Sequence, residues 1–395
     1  MINDSEKKNL PIVKIYSEFP ITYFGGGERM ILMIYNSLKK NGIEAKIIEN
    51  NGMITESRVE KDNILGHLGN DLISMSFRRY GFPRLLYQDF PNIMELKSSH
   101  NSICLIFSRR LPPKSILSEI SKFSGTKLVF CLHGIAIEKE RLTDPRIMIH
   151  QFIIRHQISA FARFVAGNVY AQCLTPGIEK YLQSKGASQS NIFLIENQYT
   201  SGIDDLNQNN DSFQVLFIGR IQNLTKGIRF LKKVINEVKK IEPNIEFVVI
   251  GNGPDAQILS GINDKSRILT KADDRVKEEN LLHSNLAIIT SSLEPGPLVA
   301  MEFLTSGLPV VTTPASGPSY FLSKEKNFGK ISSFNVKAFS KEIISYYRLW
   351  KSDKTTYFEL RKNIADKARS TFNEKDMLDS YLKMIMEIGL KKRNK

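Results

Sequence analysis

Cysteine is scarce, tryptophan occurs once, and no apolar run is long enough to cross a bilayer. The three cysteines, Cys104, Cys131 and Cys173, are odd in number and too widely spaced for a metal knuckle or a disulfide framework, so reduced thiols are expected. No stretch approaches the roughly 18 uncharged residues of a membrane-spanning helix, and the opening MINDSEKKNLPIV lacks the apolar core of a signal peptide. A cytoplasmic chain is expected, with the inner face of a membrane as a candidate place of attachment. No G-x-G-x-x-G or Walker loop is present, which removes the nicotinamide and ATP fingerprints. No zinc-finger spacing, aromatic RNP-type strand or basic heptad array appears either, and nucleic acid is not the expected partner.

What is there is ordinary for a folded protein. Hydrophobic residues make up 42% and charged residues 24%, and 395 residues exceed what one core usually organises, so two domains are expected. The net charge of +14 attracts polyanions in principle, but it is spread evenly. The first 200 residues hold 25 basic and 18 acidic side chains and the remainder 30 and 23, so each half carries +7. Only the tail KKRNK is a basic run, and a solvated terminus is its simpler meaning.

Short β-rich runs alternate with helical stretches throughout, the pattern of parallel α/β sheets. VKIYSE (13 to 18), AKIIE (45 to 49), SICLIFS (102 to 108), KLVFCLHG (127 to 134) and NIFLIENQ (191 to 198) read as strands of a first series, with helices at 28 to 42 and about 146 to 166. The polar SGIDDLNQNNDS (201 to 212) reads as a linker. A second series follows: FQVLFIGR (213 to 220), a helix near 227 to 240, IEFVVIGNG (245 to 253), NLAIITS (285 to 291), a helix near 298 to 306, and PVVTT (309 to 313). The expected fold class is α/β, two Rossmann-like doubly wound domains, residues 1–205 and 206–395, with ligands beyond the carboxyl ends of the strands, in a cleft between the two.

Four features fall where strands end. Gly25 to Gly27 open a helix, so a backbone could approach a ligand closely there; a tight turn explains them equally well. His133 ends a strand, and a hydrogen-bonded turn residue is the plainer reading. Arg220 and Lys226 flank a strand-to-helix junction, where a planar fork and a point charge suit a diphosphate; two solvated surface charges are the rival reading. Glu294 lies in the loop SLEPGP and Glu302 just over one turn into the next helix, where a semi-buried carboxylate needs donors such as vicinal hydroxyls.

Together these residues resemble the retaining glycosyltransferases of family 4, glycosyltransferases group 1, which have the GT-B fold and use nucleotide-sugar donors. LEPGPLVAME matches the family's E-x7-E signature with Glu294 and Glu302, and FIGR with Lys226-Gly227 resembles its G-R-x5-K-G segment. VVIGNGP, GGGER and His133-Gly134 resemble further family segments. Two departures stand out: Gly296 replaces the bulky residue often found after Glu-Pro, and IENQY keeps only Asn197 of a P-N-G-V-D segment.

The resemblance implies roles. Arg220 and Lys226 would bind the donor diphosphate and stabilise the leaving group, Glu294 would hold the transferred sugar, Glu302 the ribose, and His133 would contact the sugar near the reacting centre. Gly26, Gly27, Gly219 and Gly253 would line the donor, and the backbone of Gly296, Pro297, Leu298 and Val299 would face its β-phosphate. No D-x-D occurs, so neither a metal nor another cofactor is expected beyond the nucleotide-sugar co-substrate. The expected reaction moves a hexose-type sugar, from a UDP-sugar by preference, to a hydroxyl of a glycan or lipid-linked acceptor. The last helices, from about 340, would cross back to the first domain.

Three other readings carry their own signatures. A hydrolytic glycosidase needs two carboxylates flanking one bond, which Glu302 on its helix fits poorly. A GT-B-like sugar-nucleotide epimerase would isomerise or consume the donor with no acceptor. A non-enzymatic basic module for nucleic acid or an anionic membrane surface would be indifferent to Glu294→Ala. RIMIHQFIIRHQISAFARF (146 to 164) and SFRRYGFPR (76 to 84) are the segments that could meet such a surface, and the first reads more simply as a packed helix.

Overall fold

The computed structural model describes residues 11–23, 25–51, 67–75, 77–80, 88–97, 102–108, 110–123, 125–138, 145–199, 211–262 and 266–390. Most of the expected linker, the KKRNK tail and part of 76 to 84 lie outside these residues. The chain divides into two compact units. The first comprises Met1–Ile137, Gln151–Glu196 and Lys375–Lys395, and the second Glu138–His150 and Asn197–Glu374.

In the first unit, strands β1 (Ile12–Ser17), β2 (Ala45–Asn50) and β3 (Leu72–Met75) precede a small antiparallel pair, β4 (Arg78–Tyr80) and β5 (Gln88–Phe90). Strands β6 (Ser102–Phe107), β7 (Lys127–Cys131), β8 (Val169–Cys173) and β9 (Ile192–Leu194) complete a seven-stranded sheet of order β3-β2-β1-β6-β7-β8-β9. Every pairing in it is parallel. All six residues of β6 and all five of β8 are buried, which explains why β6 reads as a near-continuous apolar run rather than an alternation.

The second unit repeats the plan. Strands β10 (Gln214–Ile218), β11 (Glu246–Ile250), β12 (Ser266–Leu269), β13 (Leu286–Ile289), β14 (Val310–Thr312) and β15 (Gly329–Ile331) form a parallel sheet of order β12-β11-β10-β13-β14-β15. Each sheet starts in its middle, winds outward to one side, then reverses and winds to the other. That is the Rossmann order, with switch points between β1 and β6 and between β10 and β13. Two Rossmann-like α/β units are therefore present.

Helix Ile228–Ile241 shows how local pattern becomes packing. Ile228, Leu231, Val234, Ile235 and Val238 recur at three- and four-residue spacing, and all are fully buried in the core beneath β10, β11 and β13. At the end of the chain, helix Glu374–Leu390 supplies side chains to the first unit: Tyr381 is buried there, and Lys127 Nζ donates to the carbonyls of Ile388 and Gly389.

Helix Pro145–Ala162 is only half packed. Ile147, Ile154, Ile158 and Phe161 are buried, whereas Met148, Ile149 and Phe152 are exposed, Phe152 by 74%. The packed-helix expectation holds for one face. The three cysteines are buried, and none is joined to another by a disulfide. No helix of the described residues is long and apolar enough to cross a membrane.

Candidate functional site

In the second unit the chain leaves β10 at Ile218 and stays against the end of β11: Gly219 N donates to Ile250 O (3.0 Å) and Ile221 N to Asn252 O (2.9 Å). A Cβ on Gly251, where φ is +151°, would lie 1.9 Å from Gly219 O, and one on Gly253 would lie 2.3 Å from Ile221 O. The V-I-G-N-G segment thus needs its glycines because two backbones touch there. Arg220 follows, partly buried.

The next turn, Asn223–Lys226, begins with Asp255 Oδ2 accepting from Asn223 N (2.7 Å) and ends at Gly227, with φ of +65°. It is laced to the loop after β13. Thr290 Oγ1 donates to Lys226 O (2.7 Å), and Ser292 N donates to Thr225 O (2.8 Å). The two loops that leave the switch point are therefore one rigid piece. It brings Lys226 against Glu294: Lys226 Nζ donates to Glu294 Oε2, and Ser291 Oγ donates to the same oxygen (3.2 Å). Side-chain exposures of 20% and 12% leave this pair reachable at the carboxyl edge of the sheet.

The Glu294 loop is fastened through its backbone. Glu294 O accepts from Gly317 N (2.8 Å), and Gly296 O accepts from Asn197 Nδ2 (2.9 Å). A Cβ on Gly317 would stand 2.3 Å from Glu294 O. Glu138 adds a third hold that sequence reasoning missed. Its Oε2 accepts from Ser316 N (2.7 Å), and its Oε1 from Ser316 Oγ (3.0 Å) and Glu294 N (3.4 Å). Burial pushes the Glu138 carboxyl up to about 7; the Ser316 donors oppose this, and the neighbouring Glu294 charge adds to it.

Glu302 sits on helix Leu298–Thr305, 4% exposed. Lys277, on helix Asp274–His283, donates to its Oε1 at 2.5 Å. The carboxylate expected to need hydroxyl donors already has an ammonium as one partner. Pro297 caps the helix, and the amides of Leu298 and Val299 in its first turn have no acceptor within it. Thus Arg220, Lys226, Glu294, Glu302 and the Gly219, Gly253 and 296 to 299 backbone all belong to the second unit. Lys277 carried no signal in sequence, being one of many helical lysines.

His133, Gly26 and Gly27 belong to the first unit. Helix Gly26–Lys40 opens there, with Glu28 Oε2 accepting from Gly25 N at 2.9 Å. A Cβ on Gly27 would meet nothing within 4 Å among the described residues, so their packing does not require that glycine. His133 follows β7, its ring edge-on to Phe107 with centroids 4.9 Å apart. Its Nε2 lies 3.1 Å from Gln172 Oε1 and 3.0 Å from Tyr381 Oη. Burial pushes its pKa down to about 4, and the Gln172 hydrogen bond opposes the shift only in part, so the ring is neutral at pH 7. Neither Gln172 nor Tyr381 was singled out in the sequence, since they lie 39 and 248 residues from His133.

Against this geometry, comparison with known proteins is informative. Residues 201–371 match the family model described as glycosyl transferases group 1, and the second half carries a domain of that kind. The lipopolysaccharide core biosynthesis glycosyltransferase LpsD of Rhizobium meliloti is 25% identical over 193 residues, 48% of this chain and 53% of its own length. The chain spans about half the length of the curated relatives it matches. Among solved structures, sucrose-phosphate synthase from Thermosynechococcus elongatus aligns with a TM-score of 0.72 and 13% identity, over 96% of this chain and 99% of its own. Anabaena HepE in complex with UDP-glucose aligns with a TM-score of 0.65 and 13% identity, over 95% and 100%. These likenesses show the fold: two parallel-sheet Rossmann-like units of the GT-B type.

Proposed function

We propose that this chain is a retaining, metal-independent glycosyltransferase that moves a hexose-type sugar from a UDP-sugar to a hydroxyl of a glycan or lipid-linked acceptor. The observation that carries the reading is the Lys226–Glu294 pair at the β10/β13 switch point, held by interlaced loops beside a buried Glu302. The group 1 match over the same residues supports it, as does the UDP-glucose complex of HepE. The lipopolysaccharide role in the name of LpsD supports a glycan acceptor.

In this reading Lys226 and Arg220 face the donor diphosphate, and their charge stabilises it as the bond from the anomeric carbon to the phosphate oxygen breaks. Stabilisation by preorganised charge is commonly the largest contribution in such sites. Glu294 accepts from hydroxyls of the transferred sugar, and its bond to Lys226 keeps both side chains ordered before the donor arrives. Glu302 accepts from the ribose, and the free amides at the start of its helix face the β-phosphate. The acceptor oxygen attacks the face from which the diphosphate departs, and its proton passes to a departing phosphate oxygen. No dedicated base is needed.

Titration with UDP-, GDP- and ADP-sugars in EDTA tests this, on the parent, Lys226→Ala and Glu294→Ala. Saturable binding of one donor, weakened roughly 10- to 100-fold by Lys226→Ala as for loss of a charged hydrogen bond, is the expected result. Absence of binding by every nucleotide sugar, or parental behaviour in both variants, would sink it.

A further inference from the structure

Gln172 is fully buried, and its amide has one orientation. Both N–H groups of its Nε2 are used, one on Cys173 O (3.0 Å) and one on Ile195 O (2.7 Å). The oxygen of the amide therefore faces His133 Nε2 at 3.1 Å. An amide oxygen only accepts, and an imidazole lone pair in front of it is repelled. Tyr381, 3.0 Å from the same nitrogen, has a hydroxyl that accepts or donates and so accommodates either form of the ring. Gln172 accommodates one.

We infer that Gln172 is a positioning residue that locks His133 as the neutral Nε2–H tautomer, so that Nδ1 is presented as a hydrogen-bond acceptor. The partner this nitrogen takes is then a hydroxyl or another donor, and not a carbonyl or a phosphate oxygen. Among the described residues Nδ1 makes no hydrogen bond, and His133 as a residue is only partly buried. The assignment deepens the glycosyl-transfer reading, on which it rests for the identity of the partner: a sugar hydroxyl is such a donor. It also explains a fixed amide beneath a strand end that ordinary packing would fill with an apolar side chain.

Long-range 1H–15N spectra of the full chain labelled with 15N-histidine read the tautomer directly, with the His133 signals identified by their loss in His133→Asn. A pyrrole-type Nε2 and a pyridine-type Nδ1 between pH 6 and 8 are expected in the parent. Tyr381→Phe should leave that pattern in place, whereas Gln172→Met, which removes the acceptor at similar volume, should give the Nδ1–H form or a mixture. A parent His133 found as Nδ1–H overturns the inference even if Gln172→Met does not fold. So does a Tyr381→Phe protein that switches tautomer, or a folded Gln172→Met protein that does not. Adding UDP-glucose separates the two readings: the tautomer is settled in the protein alone, and a displaced Nδ1 signal reports a donor at the site.

Discussion

Both units carry a polar cluster where their strands end, but the clusters are built from opposite materials. In the second unit the candidate side chains are ions in pairs, Lys226 with Glu294 and Lys277 with Glu302. In the first, burial keeps His133 neutral, and the ring lies between an amide and a phenol with an aromatic ring on its edge. Charged pairs suit a partner whose own charge changes during reaction, because fixed opposite charge is worth most in a partly dry site. A neutral cluster with a fixed amide suits a partner that must be aligned, since the amide oxygen admits only a donor. The glycines differ in the same sense: Gly227, Gly251, Gly253 and Gly317 are hemmed in by backbone, whereas Gly27 has open space among the described residues.

The largest expected effect breaks the charged cluster. Glu294→Ala should lower turnover roughly 100- to 1000-fold, as removal of one preorganised polar group does in other sites. Initial rates at saturating donor and acceptor measure it, and a loss under tenfold would place the chemistry elsewhere.

Next comes the backbone contrast. Gly227→Ala sets a Cβ 2.2 Å from Thr290 O at positive φ, and about 3 kcal/mol of lost stability is expected from strain and clash together. Gly27→Ala should leave the melting temperature unchanged. Thermal melts of both variants check the pair. If Gly27→Ala melts like the parent yet binds donor more weakly, the open space at Gly27 is reserved for ligand.

The smallest effect separates the two buried titratable groups by sign. The Glu138 carboxyl titrates near 7 when folded against 4.5 ordinarily, so the folded state holds the extra proton between those values, and its contribution to stability falls as pH rises through that window. His133 titrates near 4 against 6.5, so the unfolded state holds the extra proton, and its contribution falls as pH drops through 6.5 toward 4. Relative to the parent, Glu138→Gln should gain stability from about pH 4.5 to 7, by at most about 3 kcal/mol. His133→Asn should gain it in the opposite direction, from 6.5 down to 4. Denaturant midpoints across pH 4 to 7.5 measure both, and equal slopes would remove the distinction between the clusters.

Much of this architecture is legible in the sequence. Helices expected near 227 to 240 and 298 to 306 run over Ile228–Ile241 and Leu298–Thr305, because apolar spacing and flanking Gly or Pro mark such elements locally. Strands expected through 134 and 198 instead stop at Cys131 and Leu194, since hydropathy continues past the last ladder pair. The short β3, β12 and β15 had no readable pattern; each has at most four residues and sits toward a sheet edge. At the site, residues named from spacing around strand ends lie at strand ends. Their partners escaped notice, as Glu138, Lys277, Gln172 and Tyr381 carry no local signature.

By itself, then, the amino-acid order determined the longer strands and helices, and that glycines, cations and glutamates fall at strand ends, because these follow from periodicity and turn chemistry within a dozen residues. Only the tertiary structure decided the partnerships: which lysine meets Glu302, which carboxyl fastens the Glu294 loop, and which amide faces His133. Those contacts join residues 25 to 178 positions apart, and only the winding order of the two sheets brings their side chains within hydrogen-bond reach.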